Sequence, residues 1–147
     1  MRNILVVTML SALISGCAAD QPVMLAPDGK PKWTYSSISA KEISNRIVAK
    51  CLAAKMRIES ADEQLISCSI PPNFYNKLAI AQEVSTPYKE AKSVVTDFKL
   101  HESGSGILGT ASQRVVLIGP SGEVFEVEMR DGKLQEGLQR VLQDVGR

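Results

Sequence analysis

Apolar side chains recur along this chain with two different periods, and each period predicts an element. Ile43, Ile47, Val48, Cys51 and Leu52 fall on one stripe at helical spacing. Ser39 opens that segment with Glu42 three places on, a pairing in which hydroxyl and carboxylate cap each other's backbone N–H. Ile38 can pack across the helix start against Ile43. Near the other end, Leu134, Leu138, Val141, Leu142 and Val145 repeat the stripe behind Asp131-Gly132. Between the two helices the period is two. Ile66, Cys68 and Ile70 alternate first, and Leu78, Ile80 and Val84 follow within Lys77 to Val84. Val94, Thr96, Phe98 and Leu100 come next, and then the nearly continuous β-branched run Arg114 to Ile118. After the turn Gly119-Pro120-Ser121-Gly122, Phe125, Val127 and Met129 alternate with Val124, Glu126 and Glu128. This order predicts an α+β domain over residues 38–147, an antiparallel sheet of four or five strands with an N-terminal and a C-terminal helix packed on one face.

The first residues carry a different pattern. Met1-Arg2-Asn3 is a short positive start, and Ile4 to Ile14 is an apolar or weakly polar run. At about 1.5 Å per helical residue this run reaches roughly half of a bilayer core, so it predicts a signal segment rather than a membrane span. Ile14-Ser15-Gly16-Cys17 follows, with small residues before a cysteine. In these residues the chain resembles the bacterial lipoprotein family, whose lipobox reads roughly Leu, a small residue, Gly or Ala, then Cys; Ile14 stands where Leu is favoured. The resemblance implies cleavage after residue 16, with Cys17 becoming a lipidated first residue. In that family an Asp directly after the lipidated Cys favours the inner membrane; here Ala18 and Ala19 follow. The expected location is therefore the periplasmic face of the outer membrane. Several acyl chains would anchor the protein stably, since a single chain holds only marginally.

From Ala18 to Ser37 the chain has Pro22, Pro27 and Pro31 and no apolar period. It reads as an extended tether over 17–37 that could span roughly 60 Å in polyproline form. Trp33 and Tyr35 at its end either pack on the domain's edge or offer contacts to a partner, since aromatic side chains anchor interfaces.

Charge then narrows the partner. Residues 1–16 hold Arg2 as their only charged side chain, so their removal lowers the basic count from 17 to 16, against 16 acidic residues. A balanced domain makes nucleic acid a poor partner. It also leaves no run of basic residues in the sequence to reinforce the anchor.

Candidate chemistry is sparse. With Cys17 given to the lipid, Cys51 and Cys68 remain as an even pair in an oxidising compartment, each on the inward face of its element, and they are expected to form a disulfide. His101 is the only histidine, before Glu102 at the polar end of a strand; triads and zinc sites lack their usual component. Glu126 and Glu128 share a strand face and are expected to meet water. Gly104-Ser105-Gly106-Ile107-Leu108-Gly109 formally matches a dinucleotide fingerprint. Val115-Val116-Leu117-Ile118 behind it favours strand, however, where the fingerprint needs helix. The segment reads instead as a connection presenting Ile107 and Leu108 to a partner.

No catalytic residue, metal or cofactor is assigned, and the protein is not expected to be an enzyme. The expected function is a membrane-anchored, non-enzymatic binding or adaptor module for an envelope protein. The alternatives are a small-molecule or lipid carrier, with a groove between helix and sheet, and an inhibitor or immunity protein against a wall-degrading enzyme.

Overall fold

A computed structural model describes residues 25–73 and 90–147. Cys17, the signal segment and the strand expected over 77–84 lie outside the described residues. Within them the order is β1 (Lys32–Tyr35), α1 (Ala40–Ala53), β2 (Arg57–Ala61), β3 (Leu65–Ile70), β4 (Glu90–Ser103), β5 (Gly106–Ile118), β6 (Val124–Met129) and α2, spanning Gly132–Val145. The class is α+β. All six strands form one antiparallel sheet, ordered β1-β5-β4-β3-β2, with β6 also on β5. The long β5 divides its outer edge between two partners. Ile107 to Thr110 pairs with β1, and Gln113 to Ile118 pairs with β6.

Local chemistry accounts for the helix starts. Ser39 Oγ accepts from Glu42 N at 3.2 Å, and Asp131 Oδ1 accepts from Leu134 N at 3.1 Å, each satisfying a first-turn donor. The Glu42 carboxylate reaches forward, accepting from Arg46 Nε at 3.0 Å. Between β2 and β3, Asp62 Oδ1 accepts from the N–H groups of Gln64 and Leu65 and folds that short turn.

Ile43, Ile47 and Cys51 of α1 and Leu138, Leu142 and Val145 of α2 join Ile66, Cys68, Phe98, Leu100 and Ala111 of the sheet in one buried cluster. The strand register places those five sheet residues on a single face. Each large apolar side chain buried there stabilises the fold by about 1.5–3 kcal/mol. Cys51 and Cys68 are disulfide-bonded across this cluster, with Cα atoms 6.3 Å apart.

Three expectations need correction. Leu52, read on the α1 stripe, is exposed; the buried row is the i, i+4, i+8 set Ile43, Ile47, Cys51, and Leu52 is rotated a further 100° around the helix. Part of the expected tether is domain: Pro31 is fully buried, Tyr35 sits in the core, and residues 32–35 form a strand. Four residues are too few to show a period. Finally, the sheet has six strands among the described residues where four or five are expected; the short β1 and β2 are strands that the alternation does not reveal.

Candidate functional site

Two of the clefts on the described domain draw on different parts of the sequence. The first, about 640 Å³, lies where β1 meets the start of α1 and the end of α2, and includes Trp33, Ser36, Glu42, Arg46 and Arg147. Trp33 is 39 % exposed here, while Tyr35 two residues on is 3 % exposed. The pleat does not separate them, because both point to the helix-covered face. The end of α2 does: the Tyr35 hydroxyl donates to Leu142 O at 2.8 Å, and Gly146 approaches both rings so closely that an added Cβ would lie 3.1 Å from each. Burial pushes the Tyr35 phenol well above its ordinary pKa. Arg46 donates to Val145 O at 2.9 Å and so ties α1 to the carboxyl end of α2.

The expected contact residues therefore separate. Trp33 is available to a partner; Tyr35 is a core residue. The glycine-rich connection is short, since Gly104-Ser105 alone forms the turn and Gly106 already begins β5. Gly106 has φ 131°, and an added Cβ would stand 2.2 Å from Tyr35 O, so the hydrogen side chain permits β1 to close against β5. Ile107 pairs with Tyr35 and packs against the buried cluster, and Leu108 lies between Thr34 and His101. Both are half-buried strand residues rather than loop residues. A strand follows the glycines, which removes the helix amino-terminus that a pyrophosphate would require. His101, Glu126 and Glu128 lie exposed on the sheet face opposite the helices or at its end.

The second cleft, about 680 Å³, was not foreseen from the sequence. Lys55, Arg57, Lys92 and Arg114 border it with Glu59, and Val95 and Val116 are among its apolar lining. Arg114 forms ion pairs with the nearly buried Asp97 and, at 3.3 Å, with Glu126. Asp97 also accepts from Ser67 Oγ. Glu59 accepts from Ser69 Oγ. Each cation in isolation reads as part of a solvated surface, and no local signal in the sequence joins residues 55, 92 and 114.

Among the described residues there is no cluster of three or more His, Cys, Asp or Glu able to hold a metal ion, and no helix is long and apolar enough to cross a membrane. No family profile, curated protein or solved structure matches the chain.

Proposed function

We propose that this protein is an outer-membrane-anchored periplasmic lipoprotein, held through Cys17, that presents its α+β domain to an envelope protein as a non-enzymatic adaptor. Cys17 and the lipobox support the anchor. The observation that supports adaptor over carrier is the placement of the concave surfaces. Neither of these clefts is lined by Ile43, Ile47, Ile66 or Leu142, each fully buried, whereas a carrier of apolar cargo needs an apolar hollow between helix and sheet. Trp33 supplies the aromatic anchor, and Arg46 and Arg147 supply directional donors beside it.

Photo-crosslinking in cells from position 33 tests the proposal, with position 41 on the exposed start of α1 as the comparison. A discrete protein adduct from 33 and none from 41 is the expected result. No adduct from 33, with co-purified lipid in the core, would point to the carrier instead.

A further inference from the structure

The second cleft is assembled from three departures from regular backbone, each of which brings a charged side chain to the same place. Lys55 is the only non-glycine residue with positive φ among the described residues, at 58°. It follows α1 in a helix-terminating turn in which Lys55 N donates to Leu52 O and Met56 N to Cys51 O, both at 2.9 Å. Glycine is the usual occupant of that position. Glu59 is the extra residue of a bulge in β2, where Ile58 and Ser60 face the adjacent residues Cys68 and Ser67. Lys92 is likewise the extra residue of a bulge in β4, between Ala91 and Ser93, which face Leu117 and Val116. Bulges re-aim side chains and recur beside binding sites, and a left-handed lysine costs stability that a glycine would not. All three residues border one cavity.

The chemistry inside is that of an amphipathic anion. Arg114 is neutralised by Asp97 and Glu126. Lys55, Arg57 and Lys92 have no ion pair among the described residues and face one carboxylate, Glu59. Ser69 and Ser93 add hydroxyls, and Val95, Val116 and Pro71 add apolar surface. Direction singles out the source. β1 runs antiparallel to β5, and Pro31 O accepts from Ala111 N, so the chain just before β1 heads toward the Ile118 end of β5 and then turns at Ala26 to Gly29, where Gly29 N donates to Ala26 O. That is the end where β4 begins, two residues before Lys92, and β3 finishes at Ile70. Residues 18–25, before that turn, could add at most roughly 25 Å at about 3.1 Å each. We infer that the cleft binds the phosphate headgroup of an anionic phospholipid, with Lys55, Arg57 and Lys92 on the phosphate and the valines against the first carbons beneath it. The choice of a membrane lipid over a soluble anion rests on the anchored reading above.

The test titrates the processed chain, purified in neutral detergent, with dioctanoyl phosphatidylglycerol, dioctanoyl phosphatidylcholine and inorganic phosphate, and follows backbone NMR shifts. Saturable shifts at the cleft with phosphatidylglycerol alone are expected, weakening as salt is raised. Lys55→Gly removes a charge while relieving the backbone, so its effect cannot come from misfolding. It and Lys92→Gln should each weaken binding about fivefold, and Lys41→Gln, on the helix, should leave it unchanged. Equal binding of phosphatidylcholine, equal loss from Lys41→Gln, or full competition by millimolar inorganic phosphate would each overturn the assignment. Whether Cys17 carries lipid is read separately from the intact mass, so a failure of the anchor and a failure of the cleft are distinguishable.

Discussion

At the scale of single residues, two side chains on or against β1 convert a stretch that looks like linker into folded domain. Gln139 is 2 % exposed on α2. Its Oε1 accepts from Lys32 N and its Nε2 donates to Lys32 O, both at 2.8 Å. The amide thus pairs with β1 as a further strand would and closes an otherwise open edge. Gln139→Ala leaves both backbone groups without that partner and should cost about 2–3 kcal/mol, measured by urea unfolding. Tyr35 couples to pH. Its folded pKa is raised by burial above the unfolded value of about 10. The neutral phenol's contribution is therefore fully present below pH 10 and is lost as pH climbs toward the folded value. Tyr35→Phe should be about 1 kcal/mol less stable than the parent at pH 8. The gap should close, and then reverse, in unfolding curves taken above pH 10.

At the scale of elements, the legible segments are those whose apolar residues keep one period. Both helices, β3, the centre of β4, and β6 have this character, although β3 and the centre of β4 are buried on both faces, where Ser67, Ser69 and Asp97 keep the alternation readable. The obscure segments fail for identifiable reasons. β1 and β2 are short, and β2 contains the bulge at Glu59 that breaks its alternation. The first half of β5 reads as a loop because Gly106 and Gly109 lie in it. Gly109 is there to admit the Tyr35 ring, 2.8 Å from where a Cβ would stand. The disulfide is an element-level feature too, linking α1 to β3 over 17 residues. Replacing both cysteines with alanine should destabilise the domain by about 3 kcal/mol, chiefly by freeing the unfolded chain. Calorimetry of the variant against the oxidised parent checks this, and reduction of the parent should reproduce most of the shift.

At the scale of the whole molecule, the charge balance conceals an uneven distribution. A chain with 17 basic and 16 acidic residues looks electrically featureless, yet the fold collects Lys55, Arg57 and Lys92 beside a single carboxylate. The proposed anchor belongs to this scale because it sets what the domain can reach. Cys17→Ala should abolish incorporation of labelled fatty acid and shift the protein out of the detergent phase, while the far-ultraviolet circular dichroism of the purified chain stays unchanged. Intact-mass spectrometry reads the first outcome directly.

Sequence by itself determined the α+β class, the cap at Ser39, the start of the last helix at Asp131-Gly132, most of the buried stripes and the pairing of Cys51 with Cys68. Each of these follows from short-range spacing, or from the even cysteine count together with the inward face of two neighbouring elements. Tertiary structure alone decided that β1 belongs to the sheet, that Tyr35 is core while Trp33 is surface, and that cations from residues 55, 57 and 92 share a cleft. Those outcomes depend on which distant segments come to lie side by side. Strand pairing and helix docking set that adjacency through contacts far apart in the chain, and no local period encodes it.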